Sequence, residues 1–586
     1  MNLHITNPRR TLRIALFLCF IFLTGIGLGW LYSSFFSENA SFEKFAEELF
    51  QKEVTGNTLT LHYCLAHPES RNIHTETPSL GRISTDFNEY YTLCQDYEKK
   101  LKNFSYSELS RENQLTLDLL LLYYHNQLSL GNNYLLEEYL SPSLGIQAQL
   151  PILLAEYTFY DKEDIGEYLT LLSDIRPYFE SILTFEQEKS KTGFFMSDTT
   201  LDRILEQCYA FIQNPNANYM QEIFKEKISN FTSFSEEDRQ KLLSLHQKLL
   251  VNEVIPAYQE LIRGLETLRG TGTNDGGLAN FSGGKQYYLY LIRSEVGSYL
   301  SVNQIQKLLY EQLFKDFQEI SELLKQEPTV LSRQNIFPQM EPETILHTLQ
   351  QQIQTDFPKL CDTSYEIRKV HASMEEYLSP AFYLTPPLDT GTPNTIYINN
   401  SSQHSSLEQF TTLAHEGFPG HLYQTVYFTQ QNPLPIRYLL SSTGYVEGWA
   451  TYIESYASLY ATQLYPALSD TDKKAIQLSQ RNRTINLCLS SLLDLGIHYY
   501  GWNLKQASDF LEKFGITDTN AITEIYQYIV ETPANYLNYC LGAISLEEIK
   551  KKQQQKLGEH FSLKQFHEDI LKIGPVPFPL LEKYLN

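Results

Sequence analysis

The heptapeptide HEGFPGH at residues 415–421 places two histidines and a glutamate close enough together to bind a metal ion. In the helical zinc motif H-E-x-x-H the two histidines are four residues apart, about 40° around the helix. His415 and His421 are six residues apart, which is about 240° on a regular helix and points the rings away from each other. Proline lacks a backbone N–H and glycine adopts angles that other residues avoid. We therefore expect Pro419 and Gly420 to form a local bulge that returns His421 to the face of His415.

A catalytic zinc ion needs a third protein ligand and an open position for water. Glu447 follows His421 by 26 residues, within the helical pattern YVEGWATYIESYASLYA, a separation like that of zinc peptidases whose second helix supplies a glutamate. Glu454 lies two turns further along the same face, where it could orient a ligand. These spacings predict a Zn²⁺ site, although each histidine taken alone would also suit an ordinary core position.

The segments HEGFPGHLYQ and EGWATYIE together resemble a bacterial family known as domain of unknown function 885 (DUF885). Its patterns are H-E-x-x-P-G-H-x-x-Q and E-G-W-A-x-Y-x-E. The resemblance covers the chain from about residue 40 to the end. Four further segments carry it: FSGGKQYYLYLIR (281–293), DLGIHYYGW (494–502), PANYLNYCLG (533–542) and FSLKQFHEDILKIGPVPFPLLEKYL (561–585). Members look like distant relatives of the helical zinc peptidases around thimet oligopeptidase, carboxypeptidase Taq and angiotensin-converting enzyme.

The resemblance implies roles for the residues that match its motifs. His415, His421 and Glu447 would be the zinc ligands. Glu416 would be the general base, because zinc lowers the pKa of a bound water and a neighbouring carboxylate can take its proton. The hydroxide would then attack a polarised amide carbonyl.

The developing oxyanion needs a second donor. Tyr539, in the segment PANYLNYCLG, is the first candidate and His498 the second. Two structural alternatives stay open: His498 could simply pair with Asp494, four residues earlier on one predicted helix, and Tyr539 could be a core residue. Asp494 and Glu454 are the candidates for supporting positions behind the catalytic residues.

Apolar residues at three- and four-residue spacing predict a mostly helical fold. The family resemblance implies one large gluzincin-like fold with a deep cleft. Within it, the glycine-rich break RGTGTNDGGLANFSGGKQYY separates a helical N-terminal lobe (about 40–266) from a motif-bearing C-terminal lobe (about 280–586). Residues 381–400 show two short β-prone runs separated by turn residues, which predicts a small hairpin. An edge of that hairpin could pair with an extended peptide, and Tyr397 is the candidate substrate-binding residue. A purely structural flap suits the pattern equally well.

The N-terminus predicts a membrane anchor. Residues 14–36 carry no charge, three arginines precede them and several glutamates follow. The positive-inside rule places residues 1–13 in the cytoplasm and residues 37–586 outside a bacterial cell membrane, as a single-pass protein. A cleavable signal peptide is the alternative, but its candidate site ENA has Glu38 where a small residue is expected. A lipoprotein site is also disfavoured, because Cys19 follows Leu18 and not a small residue.

Charge and cysteine content narrow the partners and the chemistry. The chain has 46 basic and 69 acidic residues, a formal net charge of −23, which argues against a nucleic-acid partner. Six of the seven cysteines follow the predicted span. Cys64 with Cys94 is one possible disulfide, and free buried thiols are the alternative.

These patterns predict zinc-dependent hydrolysis of peptide bonds, with short peptides as substrates because the helical relatives enclose their metal in a deep channel. Two alternatives remain. One is a zinc hydrolase of a non-peptide amide or ester, and the other is a non-catalytic peptide-binding surface protein. The carboxylate of Glu416 favours an enzyme, since a binding protein would not need it beside the metal.

Overall fold

The computed structural model describes residues 37–585, apart from short gaps at 75–76, 232–233, 334–335, 362, 372–374, 376–378, 400–404 and 466. The predicted membrane span at 14–36 lies outside the described residues. Within them, no helix is both long enough and apolar enough to cross a bilayer.

Helices dominate the fold, which confirms the mostly helical prediction. Those that precede the sheet are α1 (Glu38–Val54), α2 (Thr58–Cys64), α3 (Phe87–Leu101), α4 (Arg111–Leu130), α5 (Ile146–Glu156), α6 (Lys162–Thr192), α7 (Asp198–Ile212), α8 (Tyr219–Ser229), α9 (Glu236–Leu249), α10 (Ile255–Glu266), α11 (Gly284–Ser294), α12 (Val302–Gln326) and α13 (Pro342–Gln352). Those that follow it are α14 (Ser406–Glu416), α15 (His421–Thr429), α16 (Ile436–Leu439), α17 (Thr443–Leu464), α18 (Asp470–His498), α19 (Leu504–Leu511), α20 (Thr519–Glu531), α21 (Asn535–Leu557), α22 (Leu563–Ile573) and α23 (Phe578–Tyr584).

Many of the described helices begin at a residue whose side chain caps the first turn. At the start of α14 the Ser405 hydroxyl accepts from the Glu408 amide at 3.2 Å, while the Glu408 carboxylate accepts from the Ser405 amide at 2.8 Å. Ser469 and Asp472 form the same reciprocal box at the start of α18. Each box satisfies amide groups that the first helical turn leaves without a partner. These caps fix the start of two helices that contribute to the site described below.

The sheet contains three strands, β1 (Tyr365–Lys369), β2 (Ala381–Leu384) and β3 (Asn394–Ile398), in the order β1-β3-β2. β2 and β3 are antiparallel, as the predicted hairpin requires, and β1 adds in parallel to the other side of β3. Successive side chains of a strand point to opposite faces. Ile396 therefore faces the core that contains α14 and α17, whereas Tyr397 faces the N-terminal lobe.

The cores do not divide cleanly at the predicted lobe boundary. One large cluster holds N-terminal residues from Leu59 to Leu268, and the others combine distant parts of the chain. Leu115 and Leu119 of α4 pack in the same cluster as Ala414, next to the HEGFPGH segment. The N-terminal half thus supports the C-terminal site directly.

Two helices of the C-terminal half touch backbone to backbone. A Cβ on Gly448 of α17 would lie 2.5 Å from the carbonyl carbon of Gly542 on α21. A Cβ on Gly542 would lie 2.2 Å from the carbonyl oxygen of Gly444. Only glycine permits this approach. The crossing places α21, which carries Tyr539, directly against the turn of α17 that carries Glu447.

The six described cysteines are free thiols, so a disulfide between Cys64 and Cys94 is not present in this structure. The two sulfur atoms that face each other belong to Cys488 and Cys540, at 3.5 Å in the core between α18 and α21.

Candidate metal centre

The HEGFPGH segment is two helices joined by a turn. α14 ends at Glu416, residues 417–420 are not helical, and α15 begins at His421. The expected bulge within one helix is therefore wrong in form, because the four-residue link replaces the helical ladder completely. The link still brings the two histidines together, with ring centroids 4.7 Å apart and ring planes at 87°.

Close packing at Gly420 and a hydrogen bond to Pro419 fix the conformation of the link. A Cβ on Gly420 would lie 1.8 Å from the carbonyl oxygen of His415, so no larger residue fits there without moving the backbone. The indole N–H of Trp449, which is fully buried on α17, donates to the carbonyl oxygen of Pro419 at 2.9 Å. Trp449 thus connects the turn after α14 to the helix that carries Glu447.

His415, His421 and Glu447 form a compact set of three potential ligands. The Nε2 atoms of the two histidines lie 3.6 Å and 3.7 Å from the Oε2 atom of Glu447. The three ligand atoms all lie within 4.8 Å of one another. Ligands about 2.1 Å from a tetrahedral zinc ion are separated by roughly 3.4 Å, so this spacing suits one ion. Two imidazoles and one carboxylate are also a donor set of catalytic zinc sites.

The charges around His415 favour a cation. Burial lowers the pKa of His415, but hydrogen bonds to Glu447 and Glu454 outweigh it and raise the pKa to about 10. Although burial opposes it, the two histidines hold the pKa of the Glu447 carboxyl well below its usual range. The protein alone therefore stabilises positive charge in the position where a metal ion would bind.

The other ring nitrogen of His415 is fixed from behind. Its Nδ1 atom donates to Oε1 of Glu454 at 2.9 Å, which leaves Nε2 directed at the site. The Arg483 guanidinium on α18 binds both oxygens of that carboxylate, with Nη2 to Oε1 at 2.7 Å. Such partners orient a histidine ligand and select its tautomer. Sequence reasoning missed Arg483. The signal that could have identified it is that a buried carboxylate such as that of Glu454 requires a cation beside it.

Arg483→Gln is expected to weaken zinc affinity by about 10- to 100-fold, the typical effect of losing a partner behind a metal ligand. In this variant Glu454 would keep its hydrogen bond to His415 but would lose the cation that holds its carboxylate in place. Competition with a chelator measures the affinity. Arg481→Gln is the matched control, because Arg481 binds Asp316 and Glu319 instead. It is expected to cost stability without changing zinc affinity, and equal losses in both variants would contradict the assignment.

Glu416 connects the candidate metal centre to the sheet. Its Oε2 atom accepts from the amide of Tyr383 on β2 at 3.0 Å, and its Oε1 atom lies 4.0 Å from Nε2 of His415. β2 is an edge strand of the described sheet. The sequence suggested that this edge could pair with an extended peptide. At Tyr383 it cannot, because Glu416 already accepts the hydrogen bond of that amide. The edge instead holds the carboxylate that faces the ligands.

Tyr539 lies on α21, where its ring packs against the core that α18 and α21 share and its hydroxyl is within range of the charges of Glu447 and Glu416. Burial, and then the negative charges of Glu447 and Glu416, raise the pKa of Tyr539 far above its ordinary value. The hydroxyl is therefore protonated at neutral pH and can act as a donor. Its helix is held at the site by the glycine crossing with α17.

The structure places the other donor candidate, His498, in a different environment. His498 is fully buried; Nδ1 accepts from the Leu278 amide at 3.1 Å and Nε2 donates to the Ile529 carbonyl at 2.8 Å. Burial lowers its pKa to about 4, so the ring is neutral. Both ring nitrogens are used by the backbone, and none is left for a substrate.

Asp494 does not pair with His498 either. Its carboxylate accepts from the Tyr288 hydroxyl and, at 3.1 Å, from the Ala534 amide. Ala534 has a φ of 66°, an unusual value for a residue other than glycine, and immediately precedes α21. Asp494 thus stabilises the turn from which the Tyr539 helix starts.

Tyr397 is not brought to the metal centre. Its hydroxyl donates to Oε2 of Glu156 at 2.7 Å, and its ring stacks on Phe382 with centroids 4.8 Å apart. The ring lies on the face of the sheet opposite to Ile396. These contacts give Tyr397 a packing role between the sheet and the N-terminal lobe.

A family model described as "Bacterial protein of unknown function (DUF885)" matches residues 80–585. The chain belongs to the DUF885 family. The match includes every residue of the candidate metal centre, the residues Glu454 and Arg483 behind it, and most of the N-terminal lobe.

Two solved structures share the fold of this DUF885 protein. One is a provisionally assigned lipoprotein from Colwellia psychrerythraea, with a TM-score of 0.81, 17% identity and coverage of 94% of this chain and 98% of that one. The other is a provisionally assigned lipoprotein of unknown function from Shewanella oneidensis, with a TM-score of 0.60, 14% identity and coverage of 92% and 98%. At these identities the likeness concerns the fold alone. The comparison with curated proteins gives no match.

Proposed function

We propose that this DUF885 protein is a zinc-dependent peptidase that hydrolyses peptide bonds in short peptides. The observation that carries the proposal is the convergence of His415, His421 and Glu447 with a carboxylate beside them that is not part of the ligand set. That carboxylate belongs to Glu416. Three protein ligands leave a fourth zinc position for water or substrate.

Each residue then has a task that follows from its contacts. When bound, zinc would lower the pKa of a water molecule and polarise the scissile carbonyl. Glu416, held by the Tyr383 amide, accepts the proton of the attacking water and passes it to the leaving amine. Tyr539 donates its hydroxyl hydrogen bond to the carbonyl oxygen as negative charge develops there. Glu454 and Arg483 keep His415 in the tautomer that binds the metal.

The proposal extends to fold family and location. Two histidines on neighbouring helices and a glutamate on another helix support a distant relation to the gluzincin peptidases. For location we propose the cell envelope, with residues 14–36 as an anchor and the rest of the chain outside the membrane. The uncharged run in the sequence supports this, and both structural neighbours are described as lipoproteins.

The proposal predicts that the full-length, zinc-loaded protein cleaves members of a broad library of short peptides, with products identified by mass spectrometry. Removal of zinc by a chelator is expected to abolish cleavage, and stoichiometric zinc to restore it, because both the water and the carbonyl depend on the ion. A library of matched esters and non-peptide amides separates the peptidase from a hydrolase of other bonds. Absence of peptide cleavage by the loaded protein would refute the proposed activity.

A further inference from the structure

Two cysteine side chains meet in the core between α18 and α21. The sulfur atoms of Cys488 on α18 and Cys540 on α21 lie 3.5 Å apart. Both residues are buried, with 0% and 2% of their surface exposed. The other four cysteines of the described ranges make no sulfur–sulfur contact with one another or with this pair. The packing of the fold thus selects one pair of thiols.

A second contact fixes how the two helices meet. The hydroxyl of Ser491, a buried residue of α18, donates to the carbonyl oxygen of Tyr536 on α21 at 3.2 Å. Ser491 follows Cys488 by three residues, and Tyr536 precedes Cys540 by four. Residues three or four apart share one face of a helix, so the two contacts lie one turn apart on facing surfaces. The helices therefore run in opposite directions here, and the position of the two sulfurs depends on whole helices rather than on a loop.

The separation of the sulfurs is small enough for a covalent bond with little movement. Since a disulfide has a sulfur–sulfur distance of about 2.05 Å, each sulfur has to move by about 0.7 Å to close the gap. The two cysteines are 52 residues apart in the sequence. A bond that closes a loop of this length removes many conformations from the unfolded chain and so favours the folded one.

The folded protein shields these thiols from reagents. Their neighbours in the core are apolar, among them Leu489, Leu537 and Leu541. The hydrogen bond with Cys540, together with burial, raises the pKa of Cys488 well above its ordinary value, so this thiol stays protonated. The thiolate is the form that reacts in thiol–disulfide exchange. A bond between the two cysteines therefore has to form while the chain folds, before α18 and α21 enclose the sulfurs.

We propose that Cys488 and Cys540 form a disulfide bond during folding of the exported protein, with the disulfide of an envelope thiol–disulfide oxidoreductase as the oxidant. One sulfur–sulfur bond forms in this protein and one breaks in the oxidant, which takes up both electrons and both protons and becomes a dithiol. The inference rests on the proposed location outside the membrane, because thiols in the cytosol are kept reduced.

The bond joins two helices that carry residues near the candidate metal centre. α18 also carries Arg483, whose guanidinium binds the Glu454 carboxylate behind His415. α21 carries Tyr539, the residue before Cys540. The disulfide holds these two helices at a fixed spacing through a covalent bond, in addition to the packing of their side chains.

Peptide mapping without reductant tests the bond on the full-length protein, taken from a cell that exports it and alkylated in denaturant at lysis. Trypsin places Cys488 in the peptide 484–505 and Cys540 in the peptide 514–550, and neither peptide contains another cysteine. The expected species is the two peptides joined without alkyl label, lighter by two hydrogen atoms than their reduced forms together. Alkyl label on both cysteines, or a bond from either one to a different cysteine, overturns the proposal. Protease treatment of spheroplasts measures the location separately, so a wrong location and a wrong disulfide can be distinguished.

Thermal unfolding of variants separates a covalent bond from ordinary packing. Cys488→Ala and Cys540→Ala each remove the bond together with one buried side chain, so the double variant has no second bond to lose. Cys208→Ala is the control, because Cys208 is also fully buried but has no sulfur beside it. Each single variant is expected to lower the Tm by about 3 °C more than the control does. The double variant is expected to lose less than the sum of the two single losses. Losses that add, and that are each no larger than that of the control, overturn the proposal.

Discussion

Glu416→Gln is expected to lower turnover on the order of 10²- to 10⁴-fold, the typical contribution of general-base catalysis. Glutamine has the size of glutamate and can still accept the hydrogen bond that Glu416 receives from the Tyr383 amide. It cannot accept the proton of the attacking water at neutral pH. Single-turnover kinetics with a cleaved peptide measure the chemical step directly.

Zinc content is the internal control for that substitution, because Glu416 is not a ligand in the proposed site. The variant is expected to keep about one zinc per chain and to bind peptide with little change in affinity. Glu408→Gln is the matched variant on the same helix, since glutamine also completes the capping box with Ser405. Its turnover should equal that of the wild type. Full activity in the Glu416 variant would exclude Glu416 as the general base, but it would not contradict the proposed metal ligands.

The helical parts of the site could be predicted from local sequence. The boundaries of α14 depend on Ser405, Glu408 and the residues 417–420, all of which are neighbours in the chain. Local rules also indicated that a regular helix could not join His415 to His421. They could not show whether the helix would bulge or end, because the answer depends on Trp449, which reaches the Pro419 carbonyl from another helix.

Contacts between distant segments were harder to predict. The parallel pairing of β1 with β3 and the ion pair of Arg483 with Glu454 each depend on how whole elements pack. The interpretation of His498 failed for a related reason. Sequence can identify a histidine near a family motif, but it does not show that the Leu278 amide and the Ile529 carbonyl occupy both of its ring nitrogens.

The same dependence on long-range packing explains why Tyr397 and Tyr539 lie in different environments. Both tyrosines belong to segments that the sequence analysis had associated with the site. Tyr397 sits at a strand position whose side chain faces the N-terminal lobe, where Glu156 takes its hydroxyl. Tyr539 sits on a helix whose close approach to α17 is permitted by Gly448 and Gly542, and the charges of Glu447 and Glu416 act on its hydroxyl. The glycine positions, and not the tyrosines themselves, indicated which of the two helices or strands lies near the centre.

His421→Ala and Glu447→Ala are each expected to reduce bound zinc from about one ion per chain to well below that value. Each substitution removes one of the three protein ligands, and a zinc ion held by only two protein ligands is bound much more weakly. Elemental analysis after dialysis measures the content. His347→Ala is the control, because His347 is exposed on α13 and contacts Gln351. This variant should retain zinc at the wild-type level.

Thermal stability gives a second measurement that does not depend on activity. A ligand that binds only the folded state stabilises it by about 4 kcal/mol when its free concentration is 1,000 times Kd. Added zinc should therefore raise the Tm of the wild type and of the His347 variant, but not the Tm of the two ligand variants.

The Glu447→Ala substitution also removes a carboxylate that favours the protonated form of His415 in the metal-free protein. For that reason the comparison between free and zinc-loaded samples of each variant, rather than between variants, isolates the contribution of the metal. Retention of full zinc content and of the zinc-dependent rise in Tm by both ligand variants would show that the ion binds elsewhere.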